Sequence, residues 1–399
     1  MKFEEVLPYL RRGFGATNTS SFGVVRIQVP DVNSKMRQEY FYCEDYSSGY
    51  CSPYHFDDEV LLSDEWNIVD HLNKPVEIKE EKKQYSPKLT TRENSVYRNG
   101  EKFYLKGANI PDVGFMSETS EFGNKDPLGA CLELVELGVN CIRLPIHIDN
   151  TSAGWLNLET PEEYCENYLK PVTDFLQEKK IYYIIDCHIV NDWSSDRMIN
   201  KLFAFWEFFG WEYKNNPYAI FELTNEPIYP DNAKEFFKKV SAQLYHLIRR
   251  EIECNNLIIF GSPSWSTRPH QTVDLVPEHF KNWALSLHVY PNQDFKKIRR
   301  YEYATKKCPV IVTEFGYGNK RIVDDNGNYS LGSSDKNKRK NWNDWGKDFI
   351  EWMEESEVAG DIFWNYSCSN WTPNTHFLKN GEWELGNMEE LLERLGEKK

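Results

Sequence analysis

Val-Ile-Val-Thr-Glu-Phe-Gly (310–316) and Phe-Glu-Leu-Thr-Asn-Glu-Pro (221–227) are two apolar runs of strand length, closed by the carboxyls of Glu314 and Glu226. A parallel strand covered on both faces reads as an unbroken Val/Ile/Leu/Phe stretch, so an ionisable residue at its last position emerges where the strand meets solvent. Working outward from this pair, the candidate strands are 103–110, 141–146, 181–189, 220–223, 257–260, 284–289, 310–313 and 361–366. Helix-like stretches lie between them at 127–137, 161–179, 200–214, 232–253 and 341–355, and 387–395 follows the last strand. Eight strand-then-helix units predict an α/β fold, a closed (β/α)8 TIM barrel rather than an open sheet. Ahead of the first strand, Asn99-Gly100 between Val96 and Phe103 predicts a hairpin that plugs the barrel bottom.

Residues 1–72 do not share this alternation. Phe3 to Arg12 reads as a short helix with Phe3, Val6, Leu7 and Leu10 on one face, and 22–29 and 39–43 read as short strands, so a small N-terminal α+β domain is expected. Residues 73–92 are charged, Pro-punctuated and poor in apolar side chains, which is the composition of a linker. The barrel domain is then expected over 93–399. A hydrophobic fraction of 40% and an aromatic fraction of 15% in 399 residues are ample for a large core. The net charge of −15 argues against a nucleic-acid or anionic-membrane partner, since both favour basic surfaces. The cysteines number nine, odd and scattered, and the Cys43/Cys51 pair fits no short zinc-ligand spacing. Neither a disulfide framework nor a metal site is expected. Glu4 and Glu5 fall where a signal peptide needs an apolar core, and no run reaches the roughly 20 apolar residues of a membrane span. The expected location is cytoplasmic, virion-associated or released by lysis.

In such a barrel the active site is built where the strands end, so the polar residues there form one set. Arg143 is read as ending the second strand, His188 the third, Asn225-Glu226 the fourth, His288 and Tyr290 the sixth, Glu314 the seventh and Trp364 the eighth. Trp265 follows the fifth, and His147 and Asn191 sit at similar heights. Two carboxyls flanking a glycosidic bond can divide acid/base work from nucleophilic attack, and that chemistry needs no cofactor. Rings such as Trp265 and Trp364 suit the apolar faces of pyranoses.

The motifs Ile-Arg-Leu-Pro (142–145), Ile-Ile-Asp-Cys-His-Ile-Val-Asn-Asp (184–192), Leu-Thr-Asn-Glu-Pro (223–227), Gly-Ser-Pro-Ser-Trp-Ser (261–266), Leu-His-Val-Tyr (287–290), Thr-Glu-Phe-Gly (313–316) and Phe-Trp-Asn-Tyr (363–366) occur in that order. Together they resemble glycoside hydrolase family 5, especially its bacterial endo-β-1,4-glucanase (cellulase) branch, over roughly residues 93–385. The resemblance implies a retaining mechanism with Glu226 as general acid/base and Glu314 as nucleophile. A second carboxylate roughly 5–5.5 Å away would raise the pKa of the acid, while Arg143 and Tyr290 would keep Glu314 ionised. Asn225 would bond the sugar 2-hydroxyl, and His188 and His288 would orient hydroxyls and the carboxyl network. Trp364, Trp265, His147 and Asn191 would bind substrate, an oligo- or polysaccharide with β-1,4-glucan first. Two departures stand out: Cys187 replaces the usual Trp, and Trp364-Asn365-Tyr366-Ser367-Cys368-Ser369-Asn370-Trp371 lacks the lysine that reaches a glucosyl hydroxyl in many relatives.

The opening Met-Lys-Phe-Glu-Glu-Val-Leu (1–7) and the closing Leu-Leu-Ser-Asp-Glu-Trp-Asn-Ile-Val (61–69) of the N-terminal region resemble the small Thoeris anti-defence 2-like domains of phages. Members with a known role sequester a cyclic ADP-ribose-type signal as oligomers, but no ligand residue can be matched here. The competing expectation is a phage-type binding protein, in which this module captures such a signal, assembles as a homo-oligomer, and the barrel only recognises carbohydrate.

Overall fold

The computed structural model describes residues 87–118, 126–148, 156–228, 232–290, 299–316 and 346–366, with short segments elsewhere at 6, 15–17, 23–28, 40–45, 51–53, 67–69, 378–379 and 382–383. The chain divides into two units, Met1–Tyr85 and Ser86–Lys399. In the first, Gly15–Thr17, Gly23–Gln28, Tyr40–Asp45, Cys51–Pro53 and Asn67–Val69 form one antiparallel sheet. The strands expected at 22–29 and 39–43 fall on its second and third members. The helices expected at 3–12 and 387–395 lie outside the described residues, apart from Val6.

The second unit is built on eight parallel strands. They are β1 (Leu105–Asn109), β2 (Cys141–His147), β3 (Tyr182–His188), β4 (Ala219–Glu222), β5 (Ile258–Phe260), β6 (Trp283–Val289), β7 (Val310–Phe315) and β8 (Gly360–Phe363). Each pairs with its successor and β8 returns to β1, so the sheet closes into the expected barrel. Helices cover its outside. Asp126 starts one of them, its carboxylate accepting from Gly129 N at 2.8 Å, with Pro127 in the first turn where no N–H is needed. Helix Asp196–Tyr213 carries Leu202, Phe205, Trp206 and Phe209 at helical spacing, all buried, and Trp206 Nε1 donates to Leu223 O just past β4. Among the described residues no helix is long and apolar enough to cross a membrane.

The bottom of the barrel corrects one boundary. Residues 89–92, expected within the linker, form a strand, Leu89–Arg92, of a three-stranded antiparallel sheet with Ser95–Arg98 and Glu101–Lys102. Its Asn99-Gly100 turn has φ of 55° and 86°, the left-handed pair that a two-residue hairpin loop requires. Leu89 and Val96 pack with Leu105, Cys141 and Tyr182, the first residues of β1, β2 and β3, so the hairpin does plug the N-terminal end.

Register sets the other end. β2 and β3 run level as far as His147 opposite His188. Between β6 and β7 the register shifts after Leu287, a bulge that turns His288 to face Glu314. Beyond the barrel, Val190–Asn191 pairs with Glu226–Pro227, which fixes the backbone of Glu226.

β1 and β2 approach so closely at Gly107 that a Cβ there would lie 1.7 Å from Cys141 O. Gly107→Ala should therefore destabilise the protein by about 3 kcal/mol or more. Gly129→Ala, in a helix and with 3.6 Å of clearance, should be neutral or stabilising by about 0.5–1 kcal/mol. Denaturant melts of both variants check the pair, and equal stabilities would contradict this close packing.

Candidate active site

Arg143 is the third residue of β2 rather than its last, and it lies inside the barrel with no exposure. Its Nε donates to Glu222 Oε2 at 2.7 Å, and its Nη1 to Asn109 Oδ1 at 2.9 Å and Glu314 Oε1 at 2.8 Å. Its Nη2 donates to Asn225 Oδ1 at 2.8 Å and Asp186 Oδ2 at 2.9 Å. A guanidinium has five N–H groups, and here each has its own acceptor. Burial alone would lower its pKa, but Asp186, Glu222 and Glu314 outweigh burial and raise it.

Around that charge stand Glu314, within β7, and Glu226, which lies past the end of β4 at Glu222 rather than at its last position, because its backbone pairs with Val190–Asn191 instead. Glu314 places Oε1 on Arg143 and accepts from the Tyr290 hydroxyl on Oε2 at 2.8 Å. His288 Nδ1 lies 2.9 Å from Glu226 Oε1 and 3.5 Å from Glu314 Oε2. One oxygen from each glutamate and one ring nitrogen of His288 all fall within 4.8 Å of one another. The Glu226 side chain keeps 17% of its exposure against 5% for Glu314, so Glu226 is the more accessible.

Arg143 and Tyr290 act on Glu314 in the expected direction, but burial opposes them. Arg143 does touch Glu314, but it shares its charge with Asp186 and Glu222. Burial pushes the Glu314 carboxyl above its ordinary value, against the pull of His288, Arg143 and the Tyr290 hydroxyl, and Glu226 adds to the rise. Burial works against the charged form of His288 too, yet Glu314, Glu222 and Glu226 overcome it and push the imidazole up to about 10. Burial and the two glutamates also drive the Tyr290 phenol well up, so it remains an O–H donor. By spacing alone Glu226, His288 and Glu314 would admit a cation. An imidazole that holds its protons this firmly competes against metal binding, and its Nδ1 is already hydrogen-bonded to Glu226.

The remaining predicted residues gather at the same end. His188 ends β3, with Nδ1 2.7 Å from Asp186 Oδ2, and burial with the nearby His147, Arg143 and His288 pushes it well below its ordinary value. Its ring stacks on Trp364 with centroids 5.4 Å apart and meets the edge of His147 at 4.7 Å. Asn191 lies one rung beyond Glu226, its Oδ1 accepting from Trp193 N at 2.7 Å, which makes it a turn former as well as a rim residue. Trp265 follows β5, half exposed, in a run of left-handed residues, Ser264, Trp265 and Ser266, with φ of 58°, 61° and 52°. Such residues cost about 1–2 kcal/mol each. Ser266 Oγ holds the turn by donating to Asn225 O at 2.6 Å.

Sequence reasoning missed the residues that hold this set in place. They are Asn109, Asp112, Asp186, Glu222 and Thr313. Asp112 accepts from His147 N, Gly114 N and the Tyr164 hydroxyl, and its Oδ2 lies 3.3 Å from His147 Nδ1. Asp186 and Glu222 had a usable signal, an acid inside an otherwise apolar strand. Asp186 stands two positions before His188, hence on the same face.

Residues 98–370 match the family described as Cellulase (glycosyl hydrolase family 5). An endoglucanase of Clostridium saccharobutylicum is 28% identical over 219 residues, covering 52% of this chain and 46% of the relative. Endoglucanase A of Butyrivibrio fibrisolvens is 24% identical over 242 residues, covering 58% and 52%. The chain thus spans about half the length of the curated relatives it matches. Among solved structures, the catalytic domain of the Thermobifida fusca endoglucanase Cel5A superposes with a TM-score of 0.59 at 16% identity, covering 78% of this chain and 98% of that one, a likeness of fold. With the match spanning the barrel from its bottom hairpin to past β8, the chain belongs to glycosyl hydrolase family 5.

Proposed function

We propose that this protein is an endo-β-glucanase that cleaves internal β-glycosidic bonds with retention, β-1,4-glucan being its first substrate. The observation that carries the reading is the tight grouping of Glu226, His288 and Glu314 within 4.8 Å. Retaining enzymes hold their carboxyls about 5–5.5 Å apart so that one can attack directly, whereas inverting enzymes leave about 6.5–9.5 Å for a water. Glu314, oriented by Arg143 and Tyr290, is the nucleophile. Glu226, nearer solvent and bonded to His288, protonates the leaving oxygen and then deprotonates the incoming water. Asn225, held through its Oδ1 by Arg143, turns its amide toward the sugar 2-hydroxyl, and Trp364, stacked on His188, floors the adjoining subsite with His147 beside it. Trp265 and Asn191 line the rim.

The N-terminal unit we read as an accessory module of the Thoeris anti-defence 2-like kind. Calorimetry of the full chain with cyclic ADP-ribose isomers is expected to show no heat of binding, and measurable heat would reassign the module to signal capture.

Glu226→Gln should slow hydrolysis of soluble β-1,4-glucan by about 10²–10⁴-fold, and Glu314→Gln by at least as much, measured as reducing ends released. Proton NMR of the first product should show the β-anomer; an α-anomer appearing first would sink the retaining assignment. Because Glu314 must be ionised to attack and its carboxyl is raised, the acid limb of kcat/KM should lie above the ordinary glutamate range. Tyr290→Phe removes a donor to the charged form, so this limb should move up by about one further pH unit. An unmoved limb would show that the phenol does not tune Glu314. Dialysis against a chelator should leave the rate unchanged, and activity restored only by a divalent cation would refute a metal-free mechanism.

A further inference from the structure

Thr313 precedes Glu314 in β7, is fully buried, and meets three polar groups with one hydroxyl. Its Oγ1 lies 2.9 Å from Glu222 Oε1, 3.0 Å from His288 Nε2 and 2.5 Å from Ser286 Oγ. A hydroxyl has a single hydrogen to donate. Glu222 Oε2 is taken by Arg143 Nε, and Arg143 with His288 outweighs burial to hold this carboxyl down at about 2. An ionised carboxylate only accepts, so the Thr313 hydrogen goes to Glu222. The Thr313 oxygen is left to accept from Ser286 and from His288 Nε2–H. Nε2 therefore keeps its hydrogen, and only Nδ1, 2.9 Å from Glu226 Oε1, is free to exchange one.

We propose that Thr313, backed by Glu222, is a positioning residue for the acid/base: it locks His288 with Nε2–H turned inward, so that His288 Nδ1 and Glu226 share the proton that the reaction uses. The inference rests on the reading of Glu226 as acid/base. In the transfer the Nδ1–H bond breaks as an Oε1–H bond forms, and the N–H electron pair stays on nitrogen. Imidazolium and carboxylate become imidazole and carboxylic acid. When Glu226 later takes a proton from water, the same step runs backwards and reloads His288.

The groups facing His288 favour this store. Glu222 and Glu226 approach from the β4 side and Glu314 from β7, with Tyr290 two residues along and Asp186, His188 and Arg143 beyond. A lone glutamic acid would release its proton near pH 4.3, about the ordinary value. The His288 imidazolium, pushed up to about 10 by the surrounding carboxylates, holds its proton far above that.

The test is the alkaline limb of kcat/KM on a soluble β-glucan for wild type, Thr313→Val and Thr313→Ser. Valine keeps the shape and removes the acceptor for Nε2–H, so the charged ring is less favoured and the limb should move to lower pH by about one to two units. Serine should restore it. Alkaline limbs that superimpose for wild type and the valine variant would overturn the proposal. Should the valine variant not fold, ¹⁵N-histidine NMR of the wild-type protein decides. A protonated Nε2 on His288 at neutral and alkaline pH supports the lock, and a neutral ring protonated at Nδ1 overturns it. Wild-type protein that hydrolyses no β-glucan would defeat the functional reading alone, since the NMR tautomer reports on the lock without turnover.

Discussion

A guanidinium cut off from water must have all its N–H groups accepted by protein, and at Arg143 that requirement ties β2 to β1, β3, β4 and β7. The acceptors are Asn109, Asp186, Glu222, Asn225 and Glu314. Removing one partner of a buried ion pair costs about 3–5 kcal/mol, because the group left behind is charged and dry. A lysine could not substitute, having three donors and no planar fork. One side chain thus fixes the positions of the proposed nucleophile Glu314, the proposed 2-hydroxyl ligand Asn225 and the buried acid Glu222.

The same constraint leaves negative charge in excess. Asp186, Glu222 and Glu314 all lean on Arg143, and burial pushes both Asp186 and Glu314 upward. His288 supplies the second cation, and the acids that surround it are what keep it protonated. One imidazole thus sits between the two glutamates, 2.9 Å from Glu226 and 3.5 Å from Glu314. The left-handed turn at 264–266 is strain of another kind, stored beside the site and restrained by the bond from Ser266 to the backbone of Asn225.

Much of this was legible in the chain. The eight strands lie within a few residues of their predicted bounds because a strand covered on both faces leaves an unbroken apolar run. Leu89-Thr90-Thr91-Arg92 was misread as linker because an antiparallel edge buries only one face. Leu89 is buried while Thr90 and Arg92 are exposed, so its composition imitates a solvated segment. Arg143 was misplaced at a strand end on the premise that charge seeks solvent, which fails when five acceptors converge.

Sequence by itself determined the barrel, because hydrophobic periodicity records which backbone is buried, and its ordered motifs pointed to the family and to Glu226 and Glu314. Only the tertiary structure decided what those carboxyls experience. Arg143 and Glu314 are 171 residues apart along the chain and 2.8 Å apart in space. No pattern of neighbours in sequence encodes the Thr313 hydroxyl between Glu222 and His288, since it depends on a register shift between β6 and β7. Protonation follows from such distances and from the exclusion of water, both of which exist only once the barrel has closed.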